Sequence, residues 1–337
     1  MRGVKLLGNS RLQVMDFPKP VATDDEVVVK VGATLICGSD LHGLYENPGE
    51  KPWIPGHEVA GEVVEVDRAR NVRVGDRVVA SALIGCGHCE MCLGGFVVHC
   101  SNLRGVLGFT RNGGDAEYVL VPEGALLRIP DWMSYASASL LMDPIGTPFN
   151  AYKRLRLQSQ HTVAVFGQGP MGLGATLVAK FLGARVIAVD VCDYRLELAA
   201  RLGAELVLNP QREDVKARIA SFTDGRGVDR AVECSGNPAC FRMAAQVCAK
   251  FGGLAVIGEC AEAAISPSGD IIRKEMTILG AWCFPLGDYG EILRMFQRGL
   301  DAEKLITHRF PLEDAARAYE AFASRQTGKV LILPHGG

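Results

Sequence analysis

The chain has 337 residues, and its 36 lysines and arginines nearly balance 38 aspartates and glutamates, leaving a formal charge of −2. That balance excludes the clustered cationic surface that a nucleic-acid partner or an anionic membrane would need, and no apolar run reaches the ~18 residues of a membrane span. The length suggests about two domains. The start of the chain shows no apolar signal segment, so its 11 cysteines are read as those of a reduced, cytoplasmic protein without a disulfide framework.

From Val4 to about Val121, short β-rich runs at 26–31, 61–66 and 76–80 are punctuated by Gly and Pro, which predicts an irregular all-β domain. Two sets of metal-ligand residues lie in this half. One is scattered: Cys37, then His57 followed by Glu58, with Asp143 as a possible third ligand. Three protein ligands with an open fourth position is how a catalytic zinc is held. The other set is local. Cys86, Cys89, Cys92 and Cys100 place four thiols on one loop, enough to close a tetrahedral zinc site unaided, so this set reads as structural. Six further cysteines, Cys192, Cys234, Cys240, Cys248, Cys260 and Cys283, read mostly as small buried hydrophobes. An Ala- and Leu-rich helix is expected over 134–142. Asp143, lying before Pro144, marks a break, and a second helix resumes over 147–155.

Beyond Gln160 continuous apolar runs at 162–166, 185–190, 228–234 and 254–258 alternate with helical stretches, the pattern of a doubly wound parallel sheet. Gly167, Gly169, Pro170, Met171 and Gly172 follow the first of these strands and open a helix. That context gives a glycine pattern meaning: a tight turn, a backbone close to a pyrophosphate, and a helix amino terminus facing the anion. Asp190 ends the next strand 18 residues after Gly172. Its two readings are a carboxylate on a ribose hydroxyl and an ordinary helix cap. Arg195 either lies along the phosphate side of a bound nucleotide or is a solvated helix arginine. The expected boundaries are a catalytic domain over 1–146 with its lobe at 86–100, a nucleotide domain over 147–286, and a return to the first domain over 287–337.

The run Cys37-Gly-Ser-Asp-Leu-His42, the run Gly56-His-Glu58, the four-cysteine lobe, the Gly167 to Gly172 turn, Asp190 and residues 305–312 together resemble the zinc-dependent medium-chain alcohol dehydrogenase family, over essentially the whole chain. A zinc centre with Cys and His ligands is that family's known feature, so it enters here by resemblance. The implied fold is α/β: an irregular, GroES-like catalytic domain plus a Rossmann domain. The implied cofactors are two zinc ions, one catalytic and one structural, and NAD in preference to NADP, because Asp190 would repel an added phosphate. Cys37 and His57 match the first two catalytic ligands. At the third, many alcohol dehydrogenases carry Cys and many polyol dehydrogenases Glu; the Asp143-Pro-x-Gly form looks most like the threonine and polyol dehydrogenase branches. Glu58 is either a further ligand or an acid behind the ligands, and Asp40 matches the carboxylate that orients His57.

Ser39 matches the hydroxyl that receives the alcohol proton and His42 the histidine that passes it outward. The resemblance implies reversible oxidation of a secondary alcohol, first a polyol or sugar-derived one, to a ketone, with a small-molecule substrate and neither nucleic acid nor membrane as partner. Its alternatives are threonine-type amino-alcohol oxidation and a zinc-free quinone or enone reductase of the same fold. Pocket candidates are Trp53, Leu107, Phe109, Trp282 and Phe284. A homodimer or homotetramer is implied, joined through the strand near 277–282.

Overall fold

A computed structural model describes residues 1–336. It contains two compact units: residues 1–142, 285–290 and 306 onward in one, 143–284 and 291–305 in the other. The first unit is built on a seven-stranded sheet around the long strand Glu26–Leu35. Val27, Val29 and Val31 recur at period two and share a core with Val59, Val63, Val119 and Val121. Glu26–Leu35 pairs antiparallel with Tyr118–Pro122, Glu58–Glu65 and Lys329–Leu333, and the last of these pairs parallel with Ile306–Pro311. Register fixes where the long strand ends: Leu35 lies opposite Glu58 on one side and opposite Leu331 on the other. The residues just beyond Leu35 therefore emerge between the start of one strand and the start of the chain's last strand.

The second unit holds six parallel strands in the order Leu206–Leu208, Arg185–Val189, Thr162–Phe166, Val228–Glu233, Cys248–Val256, Thr277–Gly280. This is the doubly wound nucleotide-fold order, with its reversal between Thr162–Phe166 and Val228–Glu233. Every residue of Thr162–Phe166 is buried, as a strand covered on both faces requires. The structure adds Leu206–Leu208 and begins the fifth strand at Cys248, ahead of the expected 254. Between the helices Tyr135–Leu140 and Gly146–Arg154 the break takes the form of a wide helical turn, Leu141–Ile145, which absorbs the missing N–H of Pro144. Cys260 is exposed, whereas Cys248 is buried. Among the described residues no helix is long and apolar enough to cross a membrane.

Candidate functional site

Past Leu35 the chain turns into the short helical segment Gly38–Asp40, with Cys37 as its N-cap. Asp40 fixes two neighbours at once. Its Oδ2 accepts the Cys37 N–H at 2.9 Å, and its Oδ1 stands 3.1 Å from Nδ1 of His57. With Nδ1 committed to a fully buried carboxylate, Nε2 is the ring atom left for a metal. One donor atom each from Cys37, His57, Glu58 and Asp143 lies within 4.8 Å of the other three, Asp143 being the residue directly after Met142. Zinc bonds of about 2.0–2.3 Å at tetrahedral angles put ligand atoms about 3.3–3.8 Å apart. The set thus fits a zinc ion after closing by roughly 1 Å. Thr147 Oγ1 donates to Asp143 Oδ1 at 3.2 Å, so the following helix orients that carboxylate.

Burial opposes a charge on His57, but the Asp40 carboxylate and hydrogen bonding to Asp40 and Cys37 outweigh it and hold the imidazole well above its ordinary value. A metal and a proton therefore compete for one lone pair. Zinc or cobalt affinity at this centre is expected to fall by about tenfold or more per pH unit between pH ~8 and ~6. Titration with cobalt at the two pH values checks this, and an affinity independent of pH would contradict the assignment of His57 as a donor.

Glu58 is 1% exposed and its Oε1 pairs with the ammonium of Lys329, itself 1% exposed. Lys329 Nζ also donates to the carbonyl of Ile36 at 3.2 Å. No signal in the sequence singles out this lysine. It opens an otherwise apolar strand, and only the register of the sheet brings it to Glu58.

Ser39 and His42 lie three residues apart on one continuous helical path, both exposed, and Nδ1 of His42 is 2.9 Å from Oε2 of Glu46. The ring of Phe109 tilts against that of His57 with centroids 5.5 Å apart. Leu107 is wholly buried in the sheet core. Phe284 is buried at 2% exposure, while Trp53 and Trp282 are exposed.

In the lobe, Cys86 Sγ stands 3.9 Å from Cys92 Sγ, and Cys89 Sγ 3.7 Å from Cys100 Sγ. A tetrahedron with zinc–sulfur bonds of ~2.3 Å has edges of about 3.8 Å, whereas a disulfide needs about 2.05 Å. The sulfur separations fit a tetrahedral zinc ion and not a disulfide. Backbone N–H groups of Cys86 and Asn102 point at Cys100 Sγ, each at 3.4 Å. Backbone donors at His88 and Cys89 draw the Cys86 thiol down to about 6, while burial pushes Cys92 up to about 12. Four such thiols ionise together only around a cation.

In the second unit Gly167 takes φ +82° at the end of its strand. A side chain at Gly172 would come within 1.7 Å of the Gly167 carbonyl, so the turn closes only with glycine there. Gly169 caps the helix Pro170–Phe181, with Pro170 and Met171 in its first turn, where helix N–H groups lack intrahelical acceptors. Asp190 accepts the backbone N–H of Gln168 and, at 2.8 Å, that of Cys192. The carboxylate thus braces the glycine turn and caps its own, using two of about four lone-pair positions. Arg195 is half-buried with Nη1 3.7 Å from where a Gly169 Cβ would stand, over the helix start.

Residues 23–131 match the alcohol dehydrogenase GroES-like domain model, and residues 170–298 the zinc-binding dehydrogenase model. An L-threonine 3-dehydrogenase of Shewanella baltica (strain OS185) is 34% identical over 337 residues, covering 97% of this chain and 98% of that protein. Among solved structures, 2R,3R-butanediol dehydrogenase from Bacillus subtilis is 30% identical with a TM-score of 0.88, covering 99% of each chain. Galactitol-1-phosphate dehydrogenase from Escherichia coli is 28% identical with a TM-score of 0.89, covering 99% of this chain and all of the other.

Proposed function

Because the chain belongs to the zinc-dependent alcohol dehydrogenase family, and is thus an oxidoreductase acting on CH–OH groups, we propose that it oxidises a secondary polyol or sugar-derived alcohol reversibly to a ketone with NAD. The convergence of Cys37, His57, Glu58 and Asp143 carries this reading, since a zinc-free reductase of the same fold has no use for it. A zinc ion held by Cys37, His57 and Asp143 would supply Lewis-acid polarisation of the alcohol oxygen, and a nicotinamide dinucleotide held at the Gly167–Gly172 turn would supply the hydride acceptor. The chain's own residues do the rest. Asp40 holds His57 in the tautomer that presents Nε2. Ser39 takes the alcohol proton and His42 passes it to solvent. Asp190 favours NAD, since its carboxylate would repel a ribose phosphate.

A neutral polyol is preferred to a zwitterionic amino alcohol because Lys329, the lysine that reaches these donors, is committed to Glu58 and shut from solvent. The threonine dehydrogenase relative is what keeps the amino-alcohol reading as the second choice. Among the described residues the strand Thr277–Gly280 ends its sheet with one edge unpaired, and a homodimer or homotetramer joined there is part of the proposal; a stable monomer in sedimentation at micromolar concentration would remove that part.

The test is NADH formation with polyols, sugar-derived alcohols, threonine and simple secondary alcohols, each with NAD and NADP, for native and Asp143→Ala protein. Turnover of a polyol with NAD, lost in the variant together with one of two bound zinc ions, is the expected result. Turnover of threonine alone would install the second reading, and zinc-independent reduction of a quinone would sink both. His42→Ala is expected to lower kcat by up to about 10²-fold with both zinc ions retained. Loss of zinc in that variant would show that His42 does not act as a relay.

A further inference from the structure

Asp115 is a carboxylate that neither the metal donors nor the nucleotide turn uses, yet it is wholly buried. Its Oδ1 accepts from Thr34 Oγ1 at 2.9 Å and its Oδ2 from the Tyr319 hydroxyl at 2.8 Å. Thr34 lies on the strand that leads to Cys37, and Tyr319 on the helix Ala315–Ala323. The backbone around Asp115 grips the loop that leads into His57. Gly113 N–H donates to Ile54 O at 2.7 Å, Gly114 N–H to Gly56 O at 2.8 Å, and Asp115 N–H to Pro55 O at 3.0 Å. Asn112 Oδ1 accepts the Ile54 N–H at 3.0 Å.

The carboxylate itself lies against Gly56. That residue holds φ +92°, and a Cβ there would come within 2.3 Å of Asp115 Oδ1. Nothing but glycine fits between His57 and this acid. Burial and the Asp40 charge push Asp115 up to about 7, against the hydrogen bonds from Tyr319 and Thr34. A buried polar group so costly in isolation is retained where its bonds fix a geometry.

We propose that Asp115 is a positioning residue: by tying the loop 54–57 to Thr34 and to Tyr319, it sets the orientation in which His57 meets the metal. The proposal rests on the reading of Cys37, His57 and Asp143 as a zinc centre. It reaches the centre through the backbone of Gly56, a route separate from the direct Asp40–His57 bond.

Cobalt uptake and its visible spectrum test it, with Cys37→Ala marking which of the two cobalt equivalents belongs to this centre. Tyr319→Phe keeps the ring and its packing against Tyr45, whose centroid is 5.1 Å away, and removes only the hydroxyl. Asp115→Asn keeps the shape and replaces one acceptor oxygen by a donor. Both are expected to weaken cobalt binding at this centre about tenfold or more and to shift its ligand-field bands, leaving the four-cysteine lobe unchanged. Val63→Ala, which trims the sheet core away from the loop, controls for lost stability: it lowers Tm and leaves cobalt affinity and spectrum as in the native protein.

Native affinity and spectrum in Tyr319→Phe overturn the proposal, whether or not Asp115→Asn folds. So does an equal loss of affinity in Val63→Ala at matched Tm. A native protein that takes up no second cobalt overturns the zinc centre itself, a result distinct from either.

Discussion

Cys37→Ala is expected to cut kcat/KM by about 10³-fold or more and to release one of two zinc ions, with little change in the fold. What Asp40 holds at this position is the Cys37 N–H, and alanine keeps that N–H, so the turn and the Asp40–His57 bond survive. What disappears is the only sulfur among four donors within 4.8 Å. With Cys37, His57 and Asp143 as the proposed ligands and Glu58 beside them, removing the thiolate leaves too few strong protein bonds to hold the ion against water, and the Lewis-acid contribution, several kcal/mol, goes with it. A loss of about 4 kcal/mol corresponds to about 10³ in rate. Metal analysis and steady-state kinetics on the same sample decide the matter. Two zinc ions retained, or more than about a tenth of native kcat/KM, would mean that Cys37 is not a donor.

The features legible in the sequence are those encoded over a few residues. The four-cysteine lobe spans residues 86–100 and its sulfurs stand at zinc-like separations because a loop that short has few other ways to place them. The glycine turn and Asp190 are likewise local, and the alternation of apolar runs with helices sufficed for a parallel sheet. Leu107 shows the limit of residue type as a guide: an apolar residue near the ligands in sequence lies wholly in the sheet core.

The bonds that hold the centre in place could not be read in this way, because they join positions far apart. Lys329 reaches Glu58 across 271 residues, and Tyr319 reaches Asp115 across 204. No periodicity marks either pair. A lysine at the head of an apolar strand looks like an exposed strand end, and Asp115 beside two glycines looks like part of a surface turn. Only the pairing of Leu35 with both Glu58 and Leu331 reveals that the last strand closes over the first unit's donors.

That closure makes Lys329→Met the change with the largest expected effect on stability. Glu58 and Lys329 are both 1% exposed, so the pair is shut from bulk solvent. Methionine matches the length of the lysine stem but carries no ammonium, and the carboxylate of Glu58 stays buried without its cation. Breaking a buried pair from one side costs about 3–5 kcal/mol. The double variant Glu58→Gln, Lys329→Met is expected to recover most of that loss, because no buried charge remains. Zinc supplies a sharper discriminant. Glu58 is one of the donors within 4.8 Å of Cys37, His57 and Asp143, so a dication bound there compensates the stranded carboxylate. The loss in Lys329→Met should therefore be smaller in zinc-loaded protein than in zinc-depleted protein, and the rise in Tm on adding zinc larger than in the native chain. Denaturant unfolding of all three proteins with and without zinc measures both terms. A single variant within about 0.5 kcal/mol of native would show that the pair is not shut from water; a loss identical with and without zinc would show that Glu58 and the metal do not share one site.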